Sequence, residues 1–236
     1  MLRVVLISLY LMSYHGFANA VTISSPNKRI TFEITNQQNI HYQVKFDNKL
    51  VITPSKLGLV FKNHQALTED FHVVSHKQET KNEPWEQPWG EFRVAQNHYN
   101  QLRIDFQHNK HSKVKFSVEV RVYDDGLGFR YVVPAQPGAS DIDIIDEITE
   151  FAVANHQDAG SWWIPARGWN RYEYLYRNSG LSDIDRVHTQ FTLKTGSGVY
   201  MSIHEAALTD YAAMVLEHRR PGVLEADLTP WSDGLK

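Results

Sequence analysis

The sequence predicts an all-β domain, a sandwich or barrel of antiparallel strands. Three observations carry this. Val114, Phe116, Val118, Val120 and Val122 alternate with Lys115, Ser117, Glu119, Arg121 and Tyr123. Successive strand side chains point to opposite faces, so the pattern buries one face and wets the other. Asp124-Asp125-Gly126 then leads into Phe129–Val133, and a D-G step between β-rich runs marks a hairpin, because glycine accepts a positive φ. Finally, short β-rich runs broken by turn residues recur along the whole chain, with no convincing amphipathic helix.

In chain order, strands are expected at Ile30–Thr35, Ile40–Phe46, Lys49–Thr53 and Gly58–Phe61, with Asp47-Asn48 as a turn. Phe71–His76 and Gln101–Phe106 precede the alternating segment. Asp146–Val153, Gln190–Thr195, Val199–His204, Ala213–Glu217 and Val223–Leu228 follow it. The Ala-rich stretch His204–Met214 has helical propensity but directly continues an alternating strand. There is no internal repeat and no low-complexity linker, so one large β domain is the simplest organisation.

The first twenty residues read as a leader: Met1-Leu2-Arg3, an apolar run from Val4 to Met12, then Ala18-Asn19-Ala20 as an A-x-A cleavage signature. The expected mature chain begins at Val21, in the periplasm or outside the cell. The run is too short to span a bilayer.

Composition narrows the function classes. The 236 residues are 42% hydrophobic and 22% charged, an ordinary globular balance. With 24 basic and 27 acidic residues the net charge is -3, and no basic excess points to nucleic acid. The absence of cysteine removes disulfides, Cys-ligated zinc, iron–sulfur clusters and thiol nucleophiles. An exported domain without disulfides draws its stability from core area.

No G-x-S-x-G elbow, P-loop or G-x-G-x-x-G occurs, and Gly196-Ser197-Gly198 reads as a hairpin turn. His72 and His76, like His108 and His111, have helical metal spacing but fall in strand or turn, so the 12 histidines read as scattered surface imidazoles. Asp141-Ile142-Asp143 lacks the glycine and the final glutamate of a calcium loop.

Three segments remain as site candidates. Trp162-Trp163-Ile164-Pro165-Ala166 and Trp169-Asn170-Arg171-Tyr172-Glu173-Tyr174 interleave aromatic rings with amide, guanidinium and carboxylate groups. Sugar rings pack their C–H faces on π faces while polar groups bind the hydroxyls; a buried aromatic cluster fits the same residues. Glu83-Pro84-Trp85-Glu86-Gln87-Pro88-Trp89-Gly90-Glu91 reads as a rigid, proline-bound loop. In Ile203-His204-Glu205-Ala206-Ala207-Leu208 a carboxylate ends a strand before small residues, as either a site group or a surface glutamate. Asp146-Glu147-Ile148-Thr149-Glu150-Phe151 adds acidic residues without a fixed geometry.

Taken in order, these segments resemble the N-terminal domain of glycoside hydrolase family 97, a group of α-glucosidases and α-galactosidases. The resemblance is carried by Pro88-Trp89-Gly90-Glu91, Asn97-His98-Tyr99-Asn100, the run Val122–Tyr131, the run Asp146–Phe151, Trp162–Ala166 and Tyr200–Leu208. It covers essentially all of residues 21–236 and implies a galactose-mutarotase-like antiparallel β-super-sandwich. It further implies that a catalytic (β/α)8 barrel and a small C-terminal β domain follow, and that the catalytic carboxylates lie in the barrel. This chain is then expected to hold no catalytic residue. The N-terminal domain of the family shapes the sugar pocket and gives one glutamate to a calcium ion. Glu205 is the position that matches that glutamate, and the remaining calcium ligands would come from the barrel. From the aromatic segment, Trp163, Asn170, Tyr172 and Glu173 are the sugar-pocket candidates. The sequence ends at Lys236, where a barrel would need about 250 further residues, so a fragment whose last sheet edge is incomplete is expected. The alternatives are a stand-alone carbohydrate-binding β-sandwich and an aldose-epimerase-like enzyme. The latter needs a His–Glu pair, and adjacent His204 and Glu205 would face opposite sides of a strand.

Overall fold

The computed structural model describes residues 20–36, 38–136, 142–168 and 171–235. Residues 1–19 of the expected twenty-residue leader lie outside these, as do Asp141 and Asn170. The strands are β1 (Val21–Ser24), β2 (Ile30–Asn36), β3 (Ile40–Phe46), β4 (Lys49–Lys56), β5 (Leu59–Phe61), β6 (Phe71–Glu86), β7 (Val94–His108), β8 (Lys115–Val122) and β9 (Leu127–Val132). They continue with β10 (Ile144–Glu147), β11 (Glu150–Val153), β12 (Gly160–Trp163), β13 (Arg177–Gly180), β14 (Arg186–His188), β15 (Phe191–Lys194), β16 (Tyr200–Ile203), β17 (Met214–Arg220) and β18 (Val223–Leu228). Two single-turn 3-10 segments, His156–Asp158 and Leu181–Asp183, complete the elements. Among the described residues no helix is long and apolar enough to cross a membrane.

The architecture is an antiparallel sandwich with two cores. An eight-stranded sheet, in the order β1-β2-β3-β4-β11-β18-β17-β14, is shared by two four-stranded sheets, β6-β7-β8-β9 and β13-β12-β15-β16. The first core joins Phe32, Ile34, Tyr42 and Val44 to Leu102, Ile104, Phe106, Phe116, Val118 and Val120. In-register pairs such as Ile104↔Val118 and Phe106↔Phe116 stack apolar side chains across β7 and β8, the unit that stabilises a sheet. The second core sets Val187, Leu216 and Leu224 against Trp163, Phe191, Leu193 and Ile203. Phe151 and Met201 pack against both cores.

The expected alternation holds in β8, where Phe116, Val118, Val120 and Val122 are all buried. Ser117 is buried too, because its hydroxyl donates to Asp105 at 2.7 Å and accepts from Arg103 at 2.9 Å. Asp47 and Asn48, both at positive φ, make the β3–β4 turn. Tyr123 N–H to Gly126 O at 2.8 Å closes the β8–β9 hairpin, and Gly196-Ser197-Gly198 turns β15 into β16.

Several expectations need correction. Asp146–Val153 is two strands, because the chain changes sheets between them: β10 pairs with β5, and β11 pairs with β4 and β18. The first part of the segment 83–91, residues 83–86, is strand, and residues 87–91 are loop as expected. Strands β6 and β7 form a ribbon paired as far as Trp85↔Ala95 and Glu86↔Val94, so only the residues between them turn. The ribbon was hidden in the sequence because its outer half has no buried face, whereas backbone pairing needs none. Pro84 is tolerated because β6 is an edge strand. His108 and His188 are not surface imidazoles but buried side chains. The last strand, β18, is paired on both sides; the edges of the large sheet are β1 and β14.

Candidate functional site

Strand β10 delivers Glu147 into a nearly closed environment, 9% exposed. Its Oε1 accepts the Thr149 hydroxyl at 2.6 Å and its Oε2 accepts the Tyr211 hydroxyl at 2.7 Å. The Tyr131 hydroxyl lies 2.7 Å from Thr149 Oγ1 and accepts the Gly58 N–H at 2.9 Å. Because Thr149 spends its hydrogen on Glu147, Tyr131 must donate to Thr149. Every hydroxyl hydrogen along this chain therefore points toward Glu147, an arrangement that satisfies an ionised carboxylate. Burial pulls the Glu147 pKa up, against the hydrogen bonds from Thr149 and Tyr211. Burial likewise pushes the Tyr131 and Tyr211 hydroxyls up, so both stay protonated donors.

Glu205 lies on the connection between β16 and β17, two residues past Ile203. The stretch does not become a helix: Ala207 and Asp210 sit at positive φ, which helices exclude. Glu205 Oε1 accepts the backbone N–H of Met214, the first residue of β17, and Oε2 has no hydrogen bond among the described residues. Burial raises the Glu205 pKa and the charge of Glu147 raises it further, while the Met214 N–H and the charge of His204 oppose both. Among the described residues no lysine or arginine is bonded to Glu147 or Glu205. The His204 imidazole donates to the Glu205 backbone oxygen at 2.6 Å, not to its carboxylate.

The aromatic segment divides. Trp163 ends β12 and is 2% exposed; its indole N–H donates to Ser179 Oγ at 3.0 Å and Arg177 lies over its ring. It belongs to the second core, with no ring face open to a sugar. Tyr172 is about half exposed and stacks on the His188 imidazole, ring centres 4.0 Å apart. His188 Nε2 donates to the Arg171 backbone oxygen at 2.8 Å, and its buried Nδ1 has no hydrogen-bond partner among the described residues. Glu173 is exposed. His188 pairs with Val215, next to the Met214 peptide whose N–H Glu205 holds and whose oxygen Thr189 Oγ1 bonds at 3.2 Å. The start of β17 thus brings Tyr172 and Glu205 to one end of the large sheet, although 33 positions separate them in sequence.

Glu147, Thr149, Tyr131 and Tyr211 were missed as a group. Asp146-Glu147-Ile148-Thr149 was visible as acidic sequence, but Tyr211 is 64 positions from Glu147 and nothing local links them. A second exposed aromatic group, Trp85, Trp89 and Phe92, sits at the tip of the β6–β7 ribbon, where Gln87 Nε2 donates to the Phe92 oxygen at 2.6 Å.

This donor set suits a hard cation. Glu205 offers an oxygen with no hydrogen bond among the described residues, close enough to Glu147 to feel that carboxylate's charge, with the His204 imidazole as the nearby opposing charge. Calcium takes six to eight oxygen ligands, more than one carboxylate can supply. Among the described residues there is no group of three or more acidic or histidine side chains able to hold a metal alone.

Fold and site together define a two-core antiparallel β-sandwich domain with a carboxylate-bearing loop and an aromatic loop at one end. The profile of the glycosyl-hydrolase 97 N-terminal family matches residues 23–232, and the chain belongs to that family. The chain is similar to a retaining α-galactosidase of Bacteroides thetaiotaomicron, 22% identical over 206 residues, covering 83% of this chain and 30% of that protein. It superposes with TM-score 0.88 on a glycoside hydrolase family 97 enzyme from Pseudoalteromonas sp. strain K8 solved in complex with acarbose, at 47% identity, covering 91% of this chain and 33% of that one. The complex of that enzyme with panose gives the same values. A β-arabinopyranosidase, at 18% identity and TM-score 0.80, shares the fold, with 91% of this chain and 36% of its own covered. The chain spans about a third of the length of these relatives.

Proposed function

We propose that this chain is the N-terminal, pocket-shaping domain of an exported α-glycoside hydrolase, contributing Glu205 to a calcium site and no catalytic residue. The observation that carries the reading is Glu205 on the β16–β17 loop near Glu147, with one oxygen fixed by Met214 N–H and no hydrogen bond to Oε2 among the described residues. A catalytic (β/α)8 barrel would supply the other ligands. A bound calcium ion supplies positive charge near sugar hydroxyls and reacting oxygens. The chain's own residues hold and orient: Met214 N–H fixes one oxygen of Glu205, and Tyr172 with Glu173 offers an aromatic face and a carboxylate to a sugar. Asn170, the fourth candidate, lies outside the described residues. The α-galactosidase relative and the acarbose and panose complexes support an α-glucoside or α-galactoside as substrate. Export with cleavage after Ala20 is supported by β1, which begins at Val21.

The test exchanges residues 21–235 for the matching domain of the Pseudoalteromonas enzyme and follows nitrophenyl α-glucoside and α-galactoside hydrolysis against calcium. Chelation should suppress turnover and calcium restore it. Glu205→Gln should raise the calcium needed for half-activation by about tenfold or more. Unchanged calcium dependence would remove Glu205 from the site. Residues 21–235 alone should turn over neither substrate.

A further inference from the structure

We propose that the Tyr211–Glu147 contact is the latch that fixes the loop between β16 and β17, which makes Tyr211 and Glu147 positioning residues for Glu205. The proposal rests on the reading of Glu205 as a calcium ligand, but the latch itself is tested without metal.

The loop has reasons to move. It contains two non-glycine residues, Ala207 and Asp210, in left-handed conformations that L side chains adopt at a cost. Leu208 is about half exposed and buries little to compensate. Side-chain bonds hold the loop against that cost, and two of them tie it to strands. Glu205, at its start, closes it by gripping Met214 N–H at its end. This bond ties the head of the loop to the first residue of β17, and Ala213 O at the loop's end accepts the Thr229 N–H at 2.8 Å, so both ends are anchored beside β17 and β18. Between those anchored ends, the Tyr211 hydroxyl reaches a different sheet, across to Glu147 on β10 at 2.7 Å. Glu147 is itself immobilised by Thr149, which Tyr131 and Gly58 N–H brace in turn. The loop carrying Glu205 is thus referenced to β9 and β10, elements packed on the first core, as well as to its own strands.

The test is amide hydrogen exchange by NMR on residues 21–236 in the absence of calcium. Met214 N–H reports the Glu205 bond, and the amides of Leu102 and Val118 report the first core. Tyr211→Phe keeps the ring and removes only the hydroxyl. It should speed Met214 exchange on the order of tenfold, the equilibrium worth of one hydrogen bond, while Leu102 and Val118 keep their rates. Glu147→Leu should do the same. Glu147→Gln retains an amide oxygen for the Tyr211 hydroxyl and should stay within about threefold of the parent, a conservative rescue that generic destabilisation would not give. An unchanged Met214 rate in Tyr211→Phe overturns the latch, and so does an equal rise at Met214, Leu102 and Val118. If the latch holds while Glu205→Gln leaves calcium dependence unchanged, the calcium reading fails and the latch stands.

Discussion

Arg220, at the end of β17, forms a two-pronged pair with Glu150, at the start of β11: Nη1 to Oε1 at 2.7 Å and Nη2 to Oε2 at 3.0 Å. Glu150 is 1% exposed, and Lys56 adds its backbone N–H at 3.2 Å. Burial alone would raise the Glu150 pKa, but the hydrogen bonds of Arg220 and Lys56 win and hold it below the usual carboxylate range. A depressed folded-state pKa contributes stability that is present above the unfolded value and lost as pH falls through the folded one. Arg220→Ala should therefore cost about 2 kcal/mol at neutral pH and start acid unfolding at higher pH. Urea titrations of both proteins across the acid range would check this; parallel curves would refute it.

His108 sets a separate pH dependence. The N–H groups of Lys110 and His111 both donate to His108 Nδ1, at 3.1 and 3.2 Å, so that nitrogen is an acceptor and the proton sits on Nε2. Burial, helped by the charge of His111, lowers the His108 pKa. A histidine that resists protonation in the fold costs stability as pH drops below its unfolded value of about 6.5. The expected result is a stability decline beginning near that pH in the parent and missing in His108→Gln. Nitrogen NMR should show the Nε2-protonated tautomer.

Core packing gives a larger effect. Phe116 is 1% exposed, stacks on Phe106 at 5.0 Å and meets Phe71 edge-on at 5.0 Å. Phe116→Ala should cost about 3–5 kcal/mol, because burial is lost and a cavity remains. Leu175→Ser, at a position 89% exposed, should stay within about 0.5 kcal/mol of the parent. Equilibrium urea denaturation distinguishes the two.

The aromatic segment makes a contrasting pair of predictions. Trp163→Ala should cost about 3–5 kcal/mol of stability, since the indole fills the second core. Tyr172→Ala should cost at most about 1 kcal/mol, because its ring is half exposed and contributes mainly its stack on His188. In the chimera with the Pseudoalteromonas barrel, Tyr172→Ala should raise KM more than it lowers kcat. An unchanged KM would take Tyr172 out of the sugar pocket.

Gly222 turns β17 into β18 at φ +75°. A Cβ there would come within 2.3 Å of the His156 ring. Gly222→Ala should lower stability by about 1 kcal/mol or more, through backbone strain and the displaced imidazole. A thermal melt at fixed scan rate reads it directly, and an unchanged midpoint would refute it.

The sequence was legible in the longer strands with one buried face, but not in the four-residue strands β1 and β12, whose burial also alternates. Phe116, Val118, Val120 and Val122 alternate because water lies on one side only. It was silent where both faces are wet, as from Ser75 to Glu86, whose strand is held by backbone pairing with β7. Short strands such as Arg177–Gly180 and Arg186–His188 carry too few residues for a period to emerge. For the site, Glu205 could be singled out by resemblance. Its relation to Tyr172 and Glu147 could not, because both links run through pairing between distant strands. Trp163 shows the limit of composition: a sugar platform and a core aromatic have the same one-letter code.

The place of β18 between β11 and β17 bears on how the chain acquires its shape during synthesis. The hairpins from β1 to β4 and from β6 to β9 join strands near in sequence and can close while later residues are still being translated. The eight-stranded sheet cannot. Its halves stay separate until Val223–Leu228 emerges and is inserted between strands made earlier, and Leu224, a member of the second core, arrives with it. A nascent chain paused before Val223 would present the unpaired edges of β11 and β17, the state in which this domain has most need of a chaperone.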